Sequence, residues 1–264
     1  GNNATAIKNH IQGVYDTSDL AFVLLVGARP ASVMAVEFRV AVASNFRGAA
    51  QEIAAGFEAA SGHRAVLIFG STGKHYAQIV HGAPFEVFLA ADTERPERLE
   101  RSGHAVPGTR FTYALGRLAL WSAHPERVVD GAALLERGDF RRLAIANPAL
   151  APYGRAARET LEALGAWQAA EPRLVTAENV AQAFQFVASG NAEVGLVAWP
   201  LLLQGEAGPQ GSWWRVPASL HAPIAQQAVL LCENPGGRAF LSYLRGPEAL
   251  AILRARGYGV ADDL

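Results

Sequence analysis

Four stretches of this sequence set hydroxyl or amide side chains directly after an apolar run and directly before a helical pattern. The first is Ser44-Asn45-Phe46, after Val40-Ala-Val-Ala43. The second is Ser71-Thr72-Gly73, after Val66-Leu-Ile-Phe69 and Gly70. The third runs from Asn147-Pro148 to Pro152-Tyr153-Gly154, after Leu143-Ala-Ile-Ala146. The fourth runs from Thr176 to Asn179-Val180. Ser, Thr and Asn are favoured at helix N-caps, and Pro suits the first turn. A helix start carries unpaired N–H groups and about +0.5 of effective charge. Two pairs of such starts facing each other would hold a small anion without Lys or Arg.

Other chemistries fit less well. Gly73-Lys74-His75 resembles the end of a phosphate-binding loop. That pattern needs a Gly at position 68, where Ile68 stands, and Ser or Thr where His75 stands. His63, His75, His81, His104, His124 and His221 are scattered, with no metal-ligand spacing. No Gly-x-Ser-x-Gly elbow is present. Asp92 follows a strand pattern without a partner motif and reads as a turn or cap residue. Trp213 and Trp214 read as packing residues rather than as an exposed partner surface. No catalytic residue, cofactor or free metal ion is expected.

The elements that must carry these stretches alternate. Short, nearly continuous apolar runs such as Val87-Phe-Leu-Ala90, Leu118-Ala-Leu-Trp121, Val194-Gly-Leu-Val197 and Ala228-Val-Leu-Leu231 read as strands buried on both faces. Between them Ile53 and Phe57, then Tyr76, Ile79 and Val80, then Val180, Phe184 and Val187, repeat at helical spacing. Gly82, Gly165 and Gly190 stand where three of these helices should close. Strand and helix in alternation predict an α/β fold. Ligands of such sheets bind at the carboxyl ends of the strands, where all four stretches lie.

The chain has 264 residues, half of them hydrophobic, enough for a large core in one or two domains. Lys plus Arg number 23 and Asp plus Glu 24, a balance that argues against nucleic-acid binding. The one cysteine, Cys232, excludes a disulfide within this chain and a cysteine-cluster metal site. Residues 1–35 read differently. The run Leu20-Ala-Phe-Val-Leu-Leu-Val26 and the small residues Ala31-Ser-Val-Met-Ala35 resemble a secretory leader, but Asp16 and Asp19 stand where a leader carries Lys or Arg. The segment is either a degenerate leader or an extension ahead of an internal start at Met34, and the folded part should begin near Val36.

From Val36 onward the chain resembles the periplasmic molybdate-binding proteins of ABC transporters. The residues that carry the resemblance are Ala43-Ser-Asn-Phe46, Gly70-Ser-Thr-Gly73, Tyr76-Ala-Gln-Ile-Val80 with Gly82-Ala-Pro-Phe85, and Ala90-Ala-Asp92. Phe111-Thr-Tyr-Ala114, Leu120-Trp-Ser-Ala123, Ala144-Ile-Ala-Asn-Pro148, Ala151-Pro-Tyr-Gly154 and Ala225-Gln-Gln-Ala228 follow in order. One branch of the family contacts the anion through a Tyr on a late strand, where this chain has Ala198. The other uses a Tyr in the Ala-Pro-Tyr-Gly turn, and Tyr153 is present, so the chain is similar to the second branch.

The resemblance implies a two-lobed type II periplasmic-binding-protein fold, each lobe a mainly parallel sheet flanked by helices. Residues 36–117 and 222–264 would form the first lobe and 118–221 the second, joined by two crossover strands. It implies an anion held by Ser44, Asn45, Ser71, Thr72, Tyr153 and Val180. Thr72 would give a hydroxyl, Tyr153 its O–H or backbone N–H, and Val180 its backbone N–H. The ligand would be molybdate or tungstate, the partner an inner-membrane ABC permease, the location periplasmic and the protein a monomer. Another tetrahedral oxyanion such as sulfate, or an oxyanion-sensing effector domain, are the alternatives. The second needs a DNA-binding helix-turn-helix, which residues 1–35 are too short and too poorly patterned to supply.

Overall fold

The computed structural model describes residues 34–204 and 208–260. The reading of residues 1–35 falls, apart from Met34 and Ala35, outside the described residues. No helix among the described residues is long and apolar enough to cross a membrane.

In chain order the elements are β1 (Glu37–Ala43), α1 (Arg47–Ser61), β2 (Arg64–Gly70), α2 (Thr72–Val80), β3 (Val87–Leu89), α3 (Glu94–Arg101), β4 (Phe111–Gly116) and β5 (Leu118–Ser122). There follow α4 (Gly131–Arg137), β6 (Leu143–Ala146), α5 (Pro152–Ala163), α6 (Trp167–Ala170), β7 (Leu174–Ala177), α7 (Val180–Ala188), β8 (Val194–Ala198) and α8 (Trp199–Leu202). The chain ends in β9 (Ser212–Arg215), β10 (Ile224–Leu230), α9 (Pro235–Leu244) and α10 (Pro247–Ala255). Alternation of strand and helix holds as the apolar periodicity predicts.

The strands form two five-stranded sheets, ordered β2-β1-β3-β10-β4 and β7-β6-β8-β5-β9. β1 runs parallel to β2 and β3, and β6 parallel to β7 and β8. One strand of each sheet opposes its neighbours: β10 against β3 and β4, and β5 against β8 and β9. Those two strands directly follow the crossings between sheets, from β4 through Arg117 into β5 and from β9 through 216–223 into β10. The result is two lobes, each with its own buried core. Phe38, Phe46, Phe57 and Phe240 pack on one face of the first sheet, Phe88 and Leu99 on the other, and Leu120, Leu135 and Leu161 lie in the second lobe.

One strand departs from expectation. Val66-Leu-Ile-Phe69 reads as a strand buried on both faces, but β2 lies at the edge of its sheet and those side chains are only partly buried. The Arg47 guanidinium covers Phe69 at 4.0 Å from the ring centre, giving an apolar edge a charged lid. The helix ends follow the sequence: Gly82 (φ 83°) and Gly190 (φ 75°) adopt the left-handed conformation just past α2 and α7.

Candidate functional site

Four helix starts meet where the two sheets face each other. The turn Ser44–Phe46 leads from β1 into α1, and Ser71 leads from β2 into α2. Ala151 and Pro152 open α5 from the second lobe, and Asn179 opens α7. Each start follows a strand end, so its first N–H groups point away from the sheet edge with no partner inside the helix. Between them lies a small cavity lined by Ala43, Ser44, Asn45, Gly70, Ser71, Thr72, Ala91, Ala151, Pro152, Tyr153, Asn179 and Val180. It offers about 10 Å³ to the centre of a water-sized sphere, the scale of one small guest.

All six residues singled out in the sequence line this cavity. Their side chains divide into two kinds. Ser44, Ser71 and Thr72 each use the hydroxyl oxygen to accept a backbone N–H. Ser44 Oγ accepts from Ala181 at 3.4 Å across the cleft, Ser71 Oγ from Lys74 at 3.3 Å, and Thr72 Oγ1 from Ala91 at 3.0 Å. A hydroxyl has one proton to give, and in each case the accepting side is engaged.

The side chains of Asn45, Tyr153 and Val180 are engaged within the protein. The Asn45 amide donates to Gln226 Oε1 at 2.8 Å and to the Tyr258 hydroxyl at 3.3 Å, and the same side chain bonds the Tyr153 hydroxyl of the other lobe. The Tyr153 hydroxyl is turned toward the crossover, bonded to the Arg117 backbone and reached by Gln226 Nε2 at 3.5 Å. The hydroxyl, one of the two donors expected of Tyr153, is thus taken up within the protein. Val180 buries its side chain in the second-lobe core.

The helix caps are partly as the sequence suggests. Ser71 and Asn179 cap α2 and α7 through their side chains. Ser44 caps no helix of its own, because a tight turn intervenes before α1, and α5 begins with Pro152 and no side-chain cap. Asn179 lines the cavity and was legible only as a cap. Ala198 ends β8 fully buried and away from the cavity. Asp92 lies outside it too. Its carboxylate takes the Arg95 backbone N–H and the Arg95 guanidinium at the start of α3, the turn role expected of it.

No lining residue carries a formal charge. Tyr153 is the one titratable lining residue, and burial pushes its phenol above the ordinary tyrosine range, so it stays neutral. The attraction for an anion comes from the helix starts. Four at about half a charge each oppose an anion with roughly two positive charges.

The lobes touch around this cavity. Gly73 N donates to Leu150 O at 2.8 Å, Arg95 Nη2 to Ala149 O at 3.1 Å, and Arg155 Nη1 lies 3.3 Å from Glu94. Each contact joins an element of the first sheet to one of the second. Among the described residues, no group of His, Cys, Asp and Glu is placed to hold a metal ion.

Residues 38–259 match the model of the bacterial extracellular solute-binding protein family. The chain belongs to that family. As a solute-binding protein it is 46% identical over 249 residues to the molybdate-binding protein ModA of Azotobacter vinelandii, covering 93% of this chain and 99% of that one. It is 48% identical over 242 residues to ModA of Rhodobacter capsulatus, covering 90% and 94%. The solved structure of the Azotobacter vinelandii periplasmic molybdate-binding protein superposes with a TM-score of 0.81 at 42% identity, covering 84% of this chain and 99% of that one. The two-lobed binding-protein fold expected from the sequence is thereby shown.

Proposed function

We propose that this solute-binding protein captures molybdate or tungstate between its lobes, outside the cytoplasmic membrane, and delivers it to an ABC permease. It acts as a monomer and carries out no chemical turnover. The observation that carries the reading is the donor set. Asn45, Thr72, Tyr153 and Val180 line the cavity at helix starts, where first-turn N–H groups have no partner inside the helix. The hydroxyls of Ser44, Ser71 and Thr72 already accept, which leaves their protons for a guest. Ser71 combines the cap position with a free proton, and Thr72 adds the first helical N–H beside it.

Such a cage suits an ion that accepts at every oxygen. Fully ionised molybdate and tungstate do so. Hydrogen phosphate brings a proton that needs an acceptor, and leaving it unpaired in a dry site costs about 1–3 kcal/mol. Sulfate has the right charge but is smaller, so its hydrogen bonds lengthen in a cage that does not shrink. The names of the relatives support molybdate over sulfate.

Thermal unfolding with the four anions at equal concentration tests the proposal. A ligand at 100 times its Kd stabilises by about 2.7 kcal/mol. Molybdate and tungstate should raise the midpoint, phosphate should not, and sulfate should act weakly. Equal shifts with sulfate and molybdate would refute the size argument, and no shift with any anion would refute the ligand.

A further inference from the structure

Behind the cavity lies a buried polar cluster that the donor set does not explain. Its centre is Gln226 on β10, which has no exposed surface. The pairing of β10 with β4 slips between Gln226 and Gln227, a bulge of the kind that re-aims a side chain. Gln226 therefore points inward although its neighbour Gln227 is also nearly buried, bonded to Thr112 and Arg110. Gln226 Oε1 accepts from Asn45 at 2.8 Å and from the Tyr113 hydroxyl at 3.2 Å, while its Nε2 donates to the Tyr153 hydroxyl at 3.5 Å. Asn45 belongs to the first-lobe turn at the cavity and Tyr153 to the second-lobe helix start, and Gln226 braces from behind the direct bond between the Asn45 side chain and the Tyr153 hydroxyl.

The ring of Tyr153 reaches the crossover itself. A side chain at Gly116 would put its Cβ 2.4 Å from the Tyr153 hydroxyl and 3.0 Å from Gln226 Nε2. Only glycine at position 116 lets the phenol sit against the strand that leaves the first lobe. Tyr113 and Tyr258 complete the cluster, and burial raises the phenol pKa of both, so every member is neutral. A neutral, fully bonded cluster in a low-dielectric interior fixes geometry more firmly than its pairs would separately.

We propose that Gln226 is the positioning residue that holds the helix starts of the two lobes in register, through Asn45 on one side and the Tyr153 hydroxyl on the other. It touches no cavity surface and acts through the residues that do. The proposal rests on the site described under the proposed function. It predicts that the tyrosine hydroxyl matters for anion retention although it is already bonded to the Arg117 backbone, Gln226 and Asn45.

The experiment uses the full chain, with molybdate as the probe, measuring affinity by calorimetry and release by stopped flow. Tyr153→Phe keeps the backbone N–H and removes the phenol oxygen. Release should quicken by up to about tenfold, the scale of one buried hydrogen bond, and the midpoint of the ligand-free protein should fall as well, because the Arg117 N–H and Gln226 Nε2 lose their acceptor. Gln226→Leu should weaken binding at least as much, and the double variant Y153F/Q226L by clearly less than the sum of the two. Gly116→Ala should reproduce the loss by displacing the ring. Wild-type affinity in Y153F and Q226L, or losses that simply add, would overturn the proposal. A ligand-free arm separates it from the site reading: in Q226L, amide exchange should quicken at both 44–46 and 153–154. Acceleration at one turn only, or at neither, overturns the coupling even if molybdate fails to bind the wild-type chain, a failure that would count against the ligand instead.

Discussion

The Lys74 ammonium stands 3.0 Å from the Glu178 carboxylate, with Lys74 on a helix of the first lobe and Glu178 just before a helix of the second. The pair spans the rim of the cleft and exists only while the lobes are together. Both side chains are about half exposed, which limits such a pair to roughly 1 kcal/mol. Lys74→Met should raise the molybdate Kd by at most about fivefold at low salt. In about 1 M salt, where the screening length is ~3 Å, the difference should vanish. Titrations at two ionic strengths decide it, and an unchanged Kd at low salt would remove the pair from the closing contacts.

Gly73→Ala should separate closure from folding. A Cβ at this position would lie 2.8 Å from Leu150 O and 3.0 Å from Leu150 Cα, both in the other lobe. Alanine is the better helix former by about 1 kcal/mol, so α2 itself gains. The ligand-free midpoint should hold or rise while molybdate affinity falls at least about fivefold, as overpacking of 1–3 kcal/mol implies. A variant that binds like the wild type would show that the lobes close without the Gly73–Leu150 contact.

Ser71→Ala should cost twice. Losing the cap on Lys74 N should lower stability by about 1 kcal/mol. Losing a hydroxyl donor to a dianion should weaken binding by about 10- to 100-fold. Chemical denaturation and calorimetry on the same preparation measure the two separately. A stability loss with intact affinity would leave Ser71 a cap alone.

His75 sets part of the acid sensitivity. Burial lowers its pKa below the ordinary 6.5, more than its hydrogen bonds to Gln78 and the Val42 carbonyl raise it. As pH falls below 6.5, the unfolded chain takes up this proton before the folded chain does, so its share of the stability is complete above 6.5 and is lost toward the lower folded value. His75→Gln should flatten the acid side of the stability curve relative to the wild type, measured by denaturant midpoints at several pH values. Parallel curves would mean that the folded protein accommodates the charge.

The candidate site was legible in the sequence because its parts are local. Ser71 and Asn179 announce helix starts by residue type, and a strand-to-helix turn lies at one end of its sheet whatever the pairing. Long-range relations were not legible. Whether Tyr153 offers its hydroxyl or its N–H depends on Gly116, far away in the chain, and on Gln226, aimed by a bulge that no short-range pattern marks. The edge position of β2 was missed for the same reason. Its apolar run is that of a central strand, and only the sheet order shows that Arg47 covers one ring of it.

The place of β10 bears on how the molecule is made. It sits between β3 and β4, both more than a hundred positions earlier in the chain, and among the described residues no strand of the first sheet follows it. A chain emerging amino-end first completes every strand of the second sheet while the first still has a gap in its middle. Until residue 230 arrives, β3 is a three-residue apolar strand with an open edge, the kind of edge that seeks a partner from another molecule. Premature termination anywhere between the two sheets' closing strands would thus leave one lobe assembled and the other split in two, and the nascent protein has reason to be shielded until its last quarter is out.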